Sequence, residues 1–415
     1  MTPRFAPAVC AAFAVLASPV ARAAPPGFAK PLPVIADAKV KTDRLGGVDV
    51  PSHDTLRAMH TSQYILRAAN GQLTRVPVEK IRLPHSEAHP QATQVDLGPN
   101  GVVYVRKPTV LCKSTDGGRT WTSTPIRHPE GHELNTQWRV LRDGTLIAVS
   151  CELGATRAPA SVWASKDEGA TWEKRAELLL EMKLLNGDPY GERYTHRGLE
   201  RLQDDTLIYS VDIRATPLEA AAPGMYSFRS TDGGRKWQGP NFIHDWGSEG
   251  GSTILPSGRV FATIRYQRPT HESDPPDLEK KNGSISKGWP WKHVFLMDSS
   301  DGGATWSPPR QLVTVFGQTF GYPAAQKDGT VVVVHDTRYG PGPPGSRAMV
   351  SRDEGQTWLD EVYYVDYTTF TGSYSASVAL EDDTILTIAG SSQAGPGEPI
   401  REKTDFYAIR WKPVK

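Results

Sequence analysis

From about residue 90 onward, apolar and polar positions alternate with the two-residue period of half-buried strands, and the runs come in pairs around a tight turn. The turns are Pro99-Asn100-Gly101, Arg142-Asp143-Gly144, Asp204-Asp205, Pro256-Ser257-Gly258, Lys327-Asp328-Gly329 and Asp382-Asp383, which predicts six hairpins. The period-2 runs and Gly-rich turns exclude a helical solenoid. Upstream, Ser62–Leu66 and Leu73–Val78 read as short strands, and Ala24–Pro51 is rich in Pro and Ala with little pattern.

A second repeat is interleaved with the hairpins. Ser114–Trp121 returns as Ser165–Trp172, Ser230–Trp237, Ser299–Trp306 and Ser351–Trp358, each matching Ser-x-Asp-x-Gly-x-Thr-Trp except that Lys236 replaces the Thr of the third copy. Asp and Ser side chains can bond nearby backbone N–H groups and fix a turn, while the Gly supplies a positive φ. The Trp starts the returning strand and lays a large ring beneath the turn. Each octet is therefore the tip of a further hairpin. A catalytic or metal-binding role for its carboxylate is disfavoured, because a turn that carried catalysis would not need five copies.

One unit thus contributes two strands around the first turn and two around the octet, a four-stranded antiparallel sheet. The octet Asp residues fall at 116, 167, 232, 301 and 353, so the period runs from 51 to 69 residues. The sixth unit ends in the strand Phe406–Trp411 without an octet. The predicted fold is all-β, a six-bladed propeller that hides its sheet edges by radial repetition, with an N-terminal strand completing the last blade.

Composition changes this picture little. A net charge of +1 gives no reason to expect nucleic acid or a membrane surface as partner. Eleven Trp and fourteen Tyr against three Cys fit aromatic packing in an all-β chain. Met1–Ala23 reads as a cleavable signal peptide: Arg4, the apolar run Ala8–Ala17, then Ala21-Arg22-Ala23. The run is too short to span a bilayer. The expected organisation is a signal peptide at 1–23, a Pro/Ala-rich arm at 24–60 and the propeller at 61–415, secreted or periplasmic, without membrane insertion. Cys112 and Cys151 form one disulfide or stay as two buried thiols. No Cys/His cluster has metal-ligand spacing, and no cofactor is expected.

The first strand of a blade starts on one face of the disc, and the second returns to it. Residues about nine before each turn and about seven after it therefore share a face around the axis. Allowing a residue or two of slack, these include His196, Glu249, Tyr322 and Tyr374 on first strands and Arg106, Asp212, Arg265, Asp336 and Arg338 on second strands. A scaffold alone would not require so many polar and ionisable groups there.

The octets resemble the Asp-boxes of sialidases and related β-propellers, a resemblance covering roughly residues 90–415. It implies a sialidase-type fold and, less specifically, an activity, because non-enzymatic propellers carry the box too. Ser248–Arg265 resembles the sialidase segment in which a Glu opens a blade's first strand and an Arg closes its second. Thr371-Gly372-Ser373-Tyr374-Ser375 resembles the Tyr-Ser segment with the nucleophile. The resemblance implies Tyr374 as nucleophile and Glu249 as its base, with Arg265 and either Arg347 or Arg338 gripping a substrate carboxylate. A phenol activated by Glu escapes the repulsion that a carboxylate nucleophile would feel toward an anionic sugar. An arginine fork matches a carboxylate bidentately.

Tyr322, in a Gly-Tyr-Pro setting, is a competing phenol or a pocket wall. Blade one departs from the family. His89-Pro90-Gln91-Ala92 stands where sialidases open with an arginine motif, and Lys107–Lys113 offers no acid/base. Arg106 could replace one arginine, and Asp212, Asp336 or His196 could serve as acid/base by position. The implied function is an exported exo-glycosidase removing sialic acid or a related terminal acidic sugar from glycans. The alternatives are a glycan-binding propeller without turnover and a lyase or hydrolase for another acidic sugar. Pro269–Lys292, with Trp289 and Trp291, is a long insertion that could cover the pocket; Leu184–Thr195 and Gly340–Ser346 are shorter rim candidates.

Overall fold

A computed structural model describes residues 44–84, 94–107, 109–152, 160–178, 198–213, 224–245, 247–268, 291–312, 318–337, 343, 345–367, 375–391 and 405–415. Four of the six first turns share the sequence Asp-x-Thr, and in each the Asp accepts the Thr backbone N–H: Asp143 from Thr145 at 2.9 Å, and Asp204, Asp328 and Asp382 from Thr206, Thr330 and Thr384 at 3.0 Å. The bond closes the turn locally.

Four of the five boxes are built the same way, and the third differs at Lys236. In the fourth, Ser299 Oγ donates to Asp301 Oδ1 (2.8 Å) and accepts from Gly303 N (2.8 Å). Thr305 donates its N–H to Asp301 Oδ1 (2.9 Å) and its hydroxyl to Oδ2 (2.6 Å). Gly303 is left-handed at φ 86°, and a Cβ on it would meet Ile208 of the preceding blade at 2.7 Å. The glycine thus serves the turn and lets the box lie flat on its neighbour. Gly355 repeats the arrangement on Phe261, where a Cβ would come within 2.5 Å.

These bonds hold the box carboxylates below their usual range, to about 2 for Asp167 and Asp301. Their stabilisation is complete above an ordinary Asp pKa and is lost as pH falls toward 2. The third box lacks the hydroxyl bond, because Lys236 supplies only its N–H to Asp232 Oδ1 (2.9 Å). Lys236→Thr should raise stability by up to about 1 kcal/mol, read as an increase in the urea midpoint at neutral pH.

The first strands form the inner ring: Gln94–Leu97, His132–Val140, Leu199–Arg201, Gly247–Ile254, Gln318–Ala325 and Ala376–Ala379. Five sheets have four antiparallel strands. Blade five has six, because the hairpin Tyr64–Ala69/Gln72–Pro77 pairs with its outer strand Glu361–Tyr367. The N-terminal strand that completes blade six is Glu79–Arg82, paired with Asp405–Trp411. Valine, leucine and aromatic side chains fill the seams between blades, as in the cluster joining Val331–Val334, Tyr363 and Trp411.

The described part of the arm, 44–60, packs against the ring. Its helix His53–His60 is capped by Ser52 and buries Leu56, Met59 and His60. His60 Nδ1 contacts Asp366 of blade five at 2.7 Å, and Lys80 Nζ donates to Met59 O near the helix C-terminus at 2.8 Å. Cys112 is a free, buried thiol, which excludes the disulfide. No described helix is long and apolar enough to cross a membrane.

Candidate functional site

Turns and boxes share one face of the disc: Ser257 of a first turn donates to Glu354 of the next blade's box at 3.1 Å. The strand ends at the opposite face form the mouth. They are joined by segments that include 153–159, 179–197, 214–223, 269–290, 338–342, 368–374 and 392–404, all outside the described residues. His196, Arg338 and Tyr374, the long insertion with Trp289, and the Leu184–Thr195 rim candidate fall there. Asp212 lies in the strand Leu207–Ile213 opposite Met225, at the mouth end of blade three.

Glu249 sits in a β-bulge. Gly247 pairs with Tyr266 and Gly250 with Ile264, so Ser248 and Glu249 together oppose Arg265. Register breaks recur at the mouth ends of the first strands of blades two, between Leu134 and Trp138, and five, between Gln318 and Phe320. Bulges of this kind re-aim side chains and collect beside active sites.

The structure brings Arg265 and Arg347 to one seam. Thr263 Oγ1 donates to Gly321 O of blade five at 2.6 Å, so Thr263 faces that blade. Arg265 lies two residues along the same regularly paired strand, and the pleat turns it to the same side. On blade five, Gly321, His335, Arg347 and Tyr364 form a cross-strand row. A Cβ on Gly321 would come within 2.9 Å of Val294 in blade four, so the row faces blade four. Arg347 is 1% exposed and lies 5.2 Å over the Tyr364 ring, with Nη2 3.4 Å from Pro343 O. Burial lowers its pKa. Burial, then the Arg347 charge, takes His335 down to about 3, so it is neutral at any working pH.

Asp336 belongs to the other seam. It pairs across the sheet with Ser346, which in turn pairs with Asp366. Ser346 Oγ is hydrogen-bonded to Ser375 Oγ of blade six, the residue that follows Tyr374 in the chain. Arg106 is turned toward blade two, where its Nη2 donates to Leu134 O at 2.7 Å.

Next to it, Lys107 is buried, donates to Pro84 O at 3.1 Å and lies 4.8 Å over the Phe406 ring. Burial lowers its pKa from 10.5 to about 8. Between these values the unfolded chain binds the extra proton, so Lys107 makes stability rise with pH. Lys107→Met should flatten that rise, checked by urea midpoints at pH values on either side of the window.

Tyr322 lies deeper than the mouth. Its hydroxyl accepts from Arg139 Nη2 (3.0 Å) and from Gln94 Nε2 (3.5 Å), and burial raises its pKa. The same Arg139 nitrogen donates to Glu200 Oε2 at 2.5 Å, and Glu200 Oε1 accepts from Ser252 N at 3.1 Å. Asp96 Oδ2 accepts from Val140 N at 2.8 Å. Side chains of Gln94, Arg139, Glu200 and Tyr322 thereby form a belt across the axis. Burial opposes the Arg139 charge, but Glu200 beside it, with Tyr322 and Asp96, holds its pKa well above the usual value. Burial also pushes the Glu200 carboxyl up, against the pull of Arg139.

No protein-family model matches the chain, and no curated protein matches it in sequence. Solved structures do match it. The fold is the six-bladed β-propeller. The α-L-arabinofuranosidase of Fusarium graminearum, solved with arabinobiose, aligns with a TM-score of 0.54 at 17% identity, over 81% of this chain and 97% of its own. A Hadza microbial sialidase aligns with a TM-score of 0.52 at 15% identity, over 82% of this chain and 69% of its own. A protein of unknown function from Dyadobacter fermentans aligns with a TM-score of 0.52 at 16% identity, over 80% of this chain and 98% of its own. Identities this low carry the fold and leave the chemistry to the residues.

Sequence reasoning missed the belt, yet a signal was present. Asp96, Arg139 and Glu200 each lie four residues before a turn residue, Asn100, Asp143 and Asp204. Aligning the units on their turns puts Asp, Arg and Glu at one level in three successive blades. It also missed His335, whose signal was only a histidine inside the apolar strand Val331–Thr337.

Proposed function

We propose that the chain is an exported glycoside hydrolase that removes a terminal acidic sugar, sialic acid or a relative, at the mouth of the propeller. Tyr374 attacks the anomeric carbon, Glu249 takes its proton, and Arg265 with Arg347 receives the sugar carboxylate. The observation that carries this reading is the meeting of Arg265 and Arg347 at the seam between blades four and five, with Glu249 in a bulge opposite Arg265. Two guanidinium groups turned into one seam offer planar donor forks that match a carboxylate bidentately. Asp336 and Asp212 are the candidates for the proton donor to the leaving group. The known glycosidases among the structural neighbours support a sugar substrate.

A second reading is hydrolysis of a neutral terminal sugar, such as an arabinoside, with Glu249 and Asp336 as the carboxylate pair. It is favoured by Arg106, whose bond to Leu134 O turns it away from the seam of the other two arginines. The two readings separate on a pair of aryl glycosides. Release of the aryl alcohol from an α-sialoside and not from an α-L-arabinofuranoside supports the first; the reverse supports the second. Saturable glycan binding with no release from either, followed by mass spectrometry over a wider panel, overturns both in favour of a binding propeller.

A further inference from the structure

The axis has a second opening. On the turn face, the last residues of all six first strands enclose a cavity of about 260 Å³, roughly nine waters by liquid volume. Arg139, Glu200 and Tyr322 of the belt line its inner end. A ligand would therefore enter from the face that carries the boxes, and the inference does not rest on the reading of the mouth.

The chemistry of the walls narrows the occupant. Asp96 and Glu200 balance Arg139 and Arg201, so the cavity as a whole rewards no net charge. Each carboxylate oxygen already accepts one hydrogen bond and keeps further lone pairs for hydroxyl donors. Arg201 also lines the cavity, with its guanidinium held by Leu97 O at 3.1 Å and Asp205 Oδ1 at 3.5 Å. The hydroxyl groups of Ser252 and Thr253 add donor–acceptor pairs, and Val95, Pro323 and Val378 supply apolar wall for C–H faces. Close alternation of acceptors and donors on a partly apolar wall matches vicinal hydroxyls on a carbon ring.

We propose that this cavity is a binding site for an uncharged polyhydroxyl ligand the size of a monosaccharide, separate from the mouth. A ligand of about a dozen heavy atoms held this way binds with a dissociation constant of about 1 mM or tighter.

Titration calorimetry of the full chain with arabinose, glucose and N-acetylneuraminic acid tests it. At least one neutral sugar should bind saturably. Ala379→Leu, which fills the cavity from its rim, should weaken that binding at least tenfold, and Thr253→Val, nearly isosteric, should weaken it severalfold. Thermal melts of both variants establish that they are folded, and the mouth substitution Glu249→Gln should leave the same titration unchanged. Absence of binding by either neutral sugar overturns the proposal, as does binding that both cavity variants retain at full strength. An Ala379→Leu-sensitive preference for N-acetylneuraminic acid overturns the assignment to an uncharged ligand.

Discussion

Glu200→Ala lowers the thermal midpoint by several degrees, the largest loss of stability expected from a single truncation along the axis. Arg139 and Glu200 are each less than one-tenth exposed. The guanidinium cannot shed its proton, so without Glu200 it remains a buried charge that has lost its carboxylate, and Ser252 N loses its acceptor. Breaking a buried pair by removing one member costs about 3–5 kcal/mol, whereas replacing both members by apolar groups of similar volume is often neutral. The double variant Arg139→Met/Glu200→Met should therefore unfold later than Glu200→Ala alone. Urea midpoints of wild type, both single variants and the double variant decide the matter. A Glu200→Ala protein as stable as wild type would mean that water from the adjoining cavity replaces the carboxylate and that the pair adds nothing to stability.

The belt also shows which features the sequence made legible. The blades were readable because both of their turns are local devices. Asp-x-Thr and Ser-x-Asp-x-Gly-x-Thr close hairpins through bonds spanning at most four residues, so spacing alone located both hairpins of the five boxed blades and the first hairpin of the sixth. Strand ends could be counted from those turns, which is why Arg265 and Asp336 fall at the mouth end. Which seam a side chain enters depends on the pleat and on bulges. The register breaks near Glu249 and Phe320 shift that alternation, and counting from the turns does not locate them.

Long-range closure was only half legible. An N-terminal strand was needed to complete the last blade, but nothing in Leu73–Val78 marks it for blade five in place of six. Leu73–Val78 reaches blade five only through its hairpin partner Tyr64–Ala69, whose Arg67 and Leu66 pair with Tyr363 and Tyr364 about 300 residues away. The helix His53–His60 is one short stretch with Ser52 as cap and Leu56, Met59 and His60 on one side, a weak signal beside a Pro-rich arm. What fixes it is tertiary: the Asp366 contact and the Lys80 amine.

Tyr374→Phe should reduce turnover of an aryl α-sialoside by about 10²-fold or more while leaving the melting temperature unchanged. Phenylalanine keeps the ring and removes only the oxygen that forms the glycosyl bond. A phenol has an ordinary pKa of about 10, so it needs a base at neutral pH, and Glu249→Gln should cost about 10²–10⁴-fold through the loss of that base. Arg265→Lys keeps the charge but loses the bidentate fork, and its effect should fall mainly on KM. The neutral-sugar reading predicts a different pattern: Tyr374→Phe near full rate on an arabinofuranoside, with the loss moved to Asp336→Asn. Measuring all four variants on the substrate that wild type cleaves tells the two apart, because the phenol is indispensable in one mechanism and idle in the other. A Tyr374→Phe enzyme that cleaves the sialoside at the wild-type rate would end the tyrosine mechanism, and a silent Asp336→Asn would end its carboxylate rival.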